Sequence, residues 1–190
     1  SLLPLQDFWT PVFLVIAILT LFVGNISALM QSSFKRMLAY SSVSHAGYML
    51  FAIVAVGATS ANSIFAYGLA YSLATIVAFT GLILVKNTTG SEHFEAFNGL
   101  GKRNPLLAFA ITIAMLSLAG IPLTAGFIGK FMMFSSVMEN YHIVLLVLAV
   151  INAGIAVYYY LKVFVAIYFR DSDKSCVNVQ LNYSFVLFLA

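Results

Sequence analysis

Long apolar runs decide what this chain can fold into. Its residues fall into stretches of about 20 or more that are almost free of charge, separated by short polar joints. A helix needs about 20 apolar residues to cross a bilayer core of ~30 Å. Lipid offers no partner to an unpaired backbone N–H, so runs of this length must be helices. Composition agrees, with 62% hydrophobic and 8% charged residues, where a soluble domain carries about a quarter charged. The chain reads as an all-α, polytopic membrane protein with at least five spans.

Turn and breaker residues divide the spans. The first helix is expected over about 9–30, opened by Thr10-Pro11, with a joint at 31–36 that holds Lys35 and Arg36. A second helix follows over about 37–56, then an uncharged joint, then a third helix over about 64–85. The loop 86–104 is polar, and Phe94 and Phe97 at helical spacing predict a short interfacial helix ending at Gly99. The fourth apolar stretch, about 105–136, would measure ~48 Å as one straight helix, well beyond what a bilayer needs. Gly120, Pro122, Gly126 and Gly129 lie in its middle. Pro122 lacks an N–H and clashes with the preceding turn, so a discontinuous helix broken near 120–122 is expected. A fifth helix covers about 141–169, a joint 170–182, and a sixth apolar run, 183–190, is cut short by the last residue. The first residues lack an initiator Met and a signal peptide's charged start. Both ends read as cut, and the whole of 1–190 as one transmembrane domain belonging to a longer subunit.

The charges check the helix count. Alternating helices place Lys35, Arg36, Lys86, Lys102, Arg103, Arg170 and Lys174 on one side, and no Lys or Arg on the other. Such an asymmetry marks the cytoplasmic side of an inner (plasma) membrane protein, so loops 31–36, 86–104 and 170–182 are expected there. A net charge of +3 spread this way is a topology signal, and no nucleic-acid partner is expected. The single cysteine, Cys176, excludes an internal disulfide or a thiolate cluster. No P-loop or GxGxxG motif is present, so no nucleotide, flavin or iron–sulfur cluster is expected on this chain. Glu92, His93 and Glu95 lie in an exposed loop without a fourth ligand, and no metal is assigned to them.

Two lysines fall inside spans, and an ionised lysine at a helix centre costs about 2.5–3.5 kcal/mol even on the lenient insertion scale. Lys162 lies ~11 Å from the end of its helix, where its stem can also snorkel toward the interface. Lys130 follows the Gly–Pro break by about two turns, where unwound backbone can line a hydrated cavity, or its stem can reach the outer end. A buried amine holds or releases its proton according to the charge beside it. His45 suits a proton relay by its chemistry, or else is a neutral histidine bonded to a nearby serine. Tyr71, Ser72 and Thr75 form a polar patch in the third helix, to be read as a water-linked path or as helix–helix bonding. Tyr158-Tyr159-Tyr160 sits too deep for an interfacial belt and is read as packing around Lys162.

Several of these residues belong to long ordered motifs. Gly24-Asn25, the run from Phe34-Lys35-Arg36-Met37-Leu38-Ala39-Tyr40-Ser41-Ser42 to His45-Ala46-Gly47-Tyr48, Asn98-Gly99-Leu100, Asn104-Pro105 and Ser117-Leu118-Ala119-Gly120-Ile121-Pro122 through Gly129-Lys130-Phe131 resemble the antiporter-like subunits of respiratory complex I over essentially the whole chain. Within that family the sequence around Lys130, the run Tyr158-Tyr159-Tyr160-Leu161, and Tyr71 resemble the N-type subunits of NADH–quinone oxidoreductases. The resemblance implies two inverted five-helix repeats, each with one broken helix, of which this chain covers the second and the start of the next helix. It implies proton translocation through a half-channel, with Lys130 as the broken-helix lysine, His45 as a relay, Lys162 as a secondary basic site and Tyr71 a water-linked relay. It implies membrane partners from complex I, with quinone, NADH, flavin and iron–sulfur clusters handled elsewhere in the complex. A multisubunit cation/proton antiporter and a membrane-bound hydrogenase share these motifs and remain as alternatives, and a purely structural scaffold would not need Lys130.

Overall fold

In the computed structural model, which describes residues 6–54, 60–139 and 143–171, the chain is a helix bundle. Its elements are α1 (Gln6–Leu29), α2 (Phe34–Val54), α3 (Ser60–Thr89), a 3-10 turn (Phe94–Phe97), α4 (Leu100–Arg103), α5 (Pro105–Ala119), α6 (Ala125–Glu139) and α7 (Ile143–Phe169). The joint 172–182 with Cys176, the sixth apolar run 183–190, the expected end of the second helix at 55–56 and the expected start of the fifth at 141–142 lie outside the described residues.

Helices α1, α2, α3 and α7 are each long and apolar enough to cross a membrane. At 15 residues apiece, α5 and α6 are each about 22 Å long, too short to span alone. They flank the break at 120–124, where the sequence predicts a discontinuous helix. Outward faces are as apolar as the interior: Leu19, Leu73, Phe109 and Val147 are all more than half exposed. In water that would be a very large hydrophobic patch. Against lipid tails it costs nothing, and helix association must come from close packing and polar contacts. Close packing is visible between α1 and α2, where a Cβ on Gly24 would lie 2.6 Å from the Ser44 backbone nitrogen.

Helix ends depart from the sequence reading in three places. Pro11 lies inside α1 and does not open it. The missing N–H forfeits one ladder bond, but flanking groups in lipid have no other partner, so the helix runs through. Helix α2 starts at Phe34, because the Ser33 hydroxyl accepts the Arg36 N–H (3.4 Å) in the manner of an N-cap. Lys35 and Arg36 are therefore exposed residues of its first turn rather than of a joint. Helix α3 runs on to Thr89, its last turns held by Thr88 and Thr89 hydroxyls that donate to Val85 O at 2.9 and 2.8 Å.

The loop after α3 differs most. Its 3-10 turn directs Phe94 and Phe97 into the bundle, where they are buried against Phe34 with ring centroids 6.3 and 4.5 Å away. The cause is a stitch between two joints. Phe34 N–H donates to Glu92 O (2.9 Å) and Phe94 N–H to Ser32 O (3.3 Å), turning both rings inward. Further ties join the same end of the bundle: Gly99 N–H to Ala166 O at 3.3 Å, and Lys102 to Asp171 at 2.8 Å. The joints after α1, after α3 and after α7 thus meet at one end, as a helix count that alternates direction requires. Glu92 pairs with Lys86 at 3.1 Å, and this bond holds its exposed carboxyl below the usual range. The bond to Lys102 likewise holds the Asp171 carboxyl down.

Candidate functional site

Ordinary capping chemistry builds the break between α5 and α6. Asn104 accepts the Leu107 N–H (3.2 Å) with Pro105 in the first helical position, which fixes where α5 starts. Fifteen residues later Gly120 adopts φ +79°, a left-handed conformation that ends the helix at little cost only for glycine. Pro122 blocks any continuation. Leu123 also has a positive φ, +78°, although it carries a side chain, so the turn holds local strain. Thr124 restarts the chain: its hydroxyl accepts the Phe127 N–H (3.4 Å) at the head of α6. Gly126 lets the head of α6 approach the end of α5 closely, since a Cβ there would lie 1.8 Å from Ser117 O.

A helix that ends inside a membrane leaves its last four carbonyls without ladder partners. Here all four are accounted for. Leu116 O accepts Gly120 and Ile121 N–H at 3.0 and 3.1 Å, and Ser117 O accepts Gly120 N–H at 3.0 Å. Leu118 O and Ala119 O accept the Lys130 amine at 3.0 and 2.9 Å. Lys130 is 4% exposed. The negative end of the α5 dipole and two carbonyls compensate its charge, and the Tyr48 ring face lies 5.2 Å from Nζ.

His45 lies within electrostatic reach of Lys130 and is also buried. Each of its ring nitrogens meets a tyrosine hydroxyl: Nδ1 that of Tyr67 on α3, and Nε2 that of Tyr160 on α7, at 3.0 Å. The serines beside it, Ser41 and Ser44, donate instead to carbonyls of their own helix. Tyr71 stacks on the imidazole, centroids 4.7 Å apart, while the hydrogen bond goes to Tyr67 one turn earlier. In the same patch Ser72 is exposed, and the Thr75 hydroxyl is buried without a partner among the described residues.

Beyond Tyr160 the polar centre continues. Tyr159 packs on Tyr160 (4.5 Å) and donates to Asn25 Oδ1 at 2.9 Å; Asn25 Nδ2 donates to Asn152 Oδ1 at 3.0 Å. The Tyr158–Tyr160 run therefore does not pack around Lys162. Tyr158 faces outward, and the other two serve Asn25 and His45. Lys162 is elsewhere: half-buried, it reaches Gln31 O at 3.5 Å and lies 4.6 Å from the Phe94 ring, at the stitched end of the bundle. The structure thus brings together Lys130, His45 and Tyr71, and sets Lys162 apart. Sequence reasoning missed Tyr48, Tyr67, Asn25 and Asn152 as members of the site. The two asparagines were detectable as polar residues in the middle of apolar runs, whereas tyrosines on a helix read as hydrophobic.

Comparison with known proteins places this arrangement. NADH-quinone oxidoreductase subunit N of Trichlorobacter lovleyi is 44% identical over 167 residues, covering 87% of this chain and 34% of that protein. A chain of respiratory complex I from Thermus thermophilus, solved with bound aureothin, superposes with TM-score 0.81 at 34% identity over 94% of this chain and 40% of its own length. A chain of an Mrp complex from a Dietzia species shares the fold, with TM-score 0.82 at 23% identity over 92% of this chain and 33% of that one. This chain spans about a third to two fifths of the length of the relatives it matches. The family model described as "NADH:quinone oxidoreductase/Mrp antiporter, TM" matches residues 1–156, which include α1 to α6, the helix break and Lys130. With that match over most of its length, the chain belongs to the NADH:quinone oxidoreductase/Mrp antiporter transmembrane family.

Proposed function

We propose that this chain is part of a proton-translocating membrane subunit of an NADH–quinone oxidoreductase. In this reading it forms one five-helix repeat of an inverted-repeat fold, and Lys130 is the proton-holding group of its half-channel. Redox chemistry on NADH, flavin, iron–sulfur clusters and quinone takes place in other parts of the complex, whose membrane subunits are this chain's partners. The basic joints lie on the cytoplasmic side of an inner or plasma membrane.

The observation that carries the reading is the bonding of Lys130. An ammonium has three N–H donors and a neutral amine has two. Leu118 O and Ala119 O need two, so both carbonyls stay satisfied in either protonation state. The third N–H is the one free to leave; the charge's attraction to the α5 dipole and to the Tyr48 ring face goes with it, while both carbonyl hydrogen bonds remain. A charge added or withdrawn nearby decides whether it leaves, which couples the site to events in a neighbouring subunit. His45 passes the proton onward. Lys162, at the rim of the bundle, is a secondary basic site outside the buried centre that carries the proton.

Lys130→Met keeps length and apolar packing while removing the amine. In the assembled complex it is expected to cut proton translocation sharply with normal subunit levels, and near-normal pumping would show that Lys130 is not the carrier. A subunit of a multisubunit cation/proton antiporter remains the second reading, favoured by the family description itself. NADH-driven pumping by the parent complex separates the two.

A further inference from the structure

His45 is held at both ring nitrogens by groups that can donate as well as accept. That is an unusual setting for a buried imidazole. A histidine with a structural role needs one acceptor for its N–H and one donor for its bare nitrogen, and backbone groups usually fill those parts with fixed polarity. A tyrosine hydroxyl has no fixed polarity. Two hydrogen-bond patterns of equal composition therefore fit the same heavy atoms. In one, Tyr160 O–H donates to Nε2 and Nδ1–H donates to Tyr67 O. In the other, Tyr67 O–H donates to Nδ1 and Nε2–H donates to Tyr160 O.

We propose that Tyr67 and Tyr160 are proton-passing residues, and that with His45 they form a relay moving a proton across α2 without any member carrying net charge after the transfer. The inference rests on the reading of Lys130 and His45 given above. The step balances as follows. A proton arriving at Tyr160 O releases that hydroxyl's own proton to Nε2. Nδ1 gives its proton to Tyr67 O, and Tyr67 gives up its original hydroxyl proton to the next acceptor. One proton enters, one leaves, and all three residues end neutral with their original proton count. Only the tautomer and the hydroxyl orientations have changed; rotation of the hydroxyls restores their orientations, and a separate exchange of the imidazole proton from Nε2 to Nδ1 restores the tautomer before the next transfer.

Placement supports the two ends. Tyr67 is fully buried and packs directly on Gly129, where a Cβ would lie 2.9 Å from the Tyr67 Cα, so its end of the relay adjoins the residue before Lys130. Tyr160 is equally buried and stacks on Tyr159, the start of the Asn25–Asn152 network. The relay thus lies between the lysine site and a second buried polar centre. The Tyr48 ring lies 6.3 Å from the imidazole centroid and 5.2 Å from Lys130 Nζ, so a charged imidazolium would be repelled by the ammonium, and a relay that stays neutral avoids that cost.

The test uses the assembled complex in membrane vesicles, with NADH-driven proton uptake and quinone reduction read in parallel. Tyr67→Phe and Tyr160→Phe remove one oxygen each and are expected to lower proton uptake about tenfold or more. Because the two act in series, the double variant should be no slower than the worse single one. Losses that multiply in the double variant would mean two independent packing defects and would overturn the relay. Near-normal uptake in either Phe variant, with His45→Phe impaired, would also overturn it while leaving the histidine reading intact. Normal uptake in His45→Phe would remove both. Should a Phe variant fail to assemble, fluorotyrosine at the same position keeps the hydroxyl and changes its acidity. A shifted pH profile of proton uptake supports the relay, and an unchanged one refutes it.

Discussion

Two lysines sit in apolar helices of this chain and meet opposite fates. Lys162 extends to the end of the bundle, where a joint carbonyl and an aromatic ring receive it. Lys130 is kept inside, on two carbonyls that are free of the helix ladder only because α5 ends at Ala119. The residue type is the same, and both lysines lie in apolar helices. What differs is the backbone. An intact helix offers no free carbonyls, so its lysine must find the interface. A broken helix supplies acceptors and the negative end of a dipole, and can keep the charge buried.

The largest expected difference, between the two lysine-to-methionine variants, sharpens this contrast. Lys162→Met should leave proton translocation within about twofold of wild type, because a snorkelled amine lies outside the buried centre. Loss in Lys162→Met equal to that in Lys130→Met, measured as proton uptake per quinone reduced, would erase the distinction. The next effect acts on the break alone. Gly126→Ala places a Cβ against the Ser117 carbonyl and is expected to cost about 1–3 kcal/mol as overpacking. It should lower both the thermal stability of the detergent-solubilised complex and its pumping, since α6 must shift and carry Lys130 with it. Unchanged stability would mean that the head of α6 does not sit so close to the end of α5.

The smallest effect belongs to the stitched end. The Glu92 carboxyl is held below its ordinary range by Lys86, so its contribution to stability is present above the unfolded pKa. That contribution is lost as the pH falls through the lowered folded value. Exposure and salt screening keep it small. Thermal melts of wild type and Glu92→Gln should differ slightly near neutral pH, converge in acid below about pH 4, and converge in high salt at any pH.

Much of the fold was legible because membrane spans obey few rules. Length and hydropathy sufficed to find the four long apolar helices. The Gly120–Pro122 signal marked the break, since both residues act locally through backbone geometry. Long-range stitching was not legible. Nothing in residues 91–98 announces that Phe94 and Phe97 will bury against Phe34, because the bridge that turns them inward joins segments about 60 residues apart in sequence. The candidate site was half legible for a related reason. Charge in a helix stands out at any position, so Lys130 and His45 were found. Tyr67, Tyr160, Asn25 and Asn152 become a site only when α1, α2, α3 and α7 pack.

The most direct test separates charge from proton release at the break. Lys130→Arg keeps a cation that can bond Leu118 O and Ala119 O, but a guanidinium hardly deprotonates at any working pH. If Lys130 carries the proton, the arginine complex assembles in normal amount and fails to pump, as the Met variant does. Proton translocation restored to wild-type levels by arginine would contradict the account, since a fixed cation would then be all that the broken helix requires.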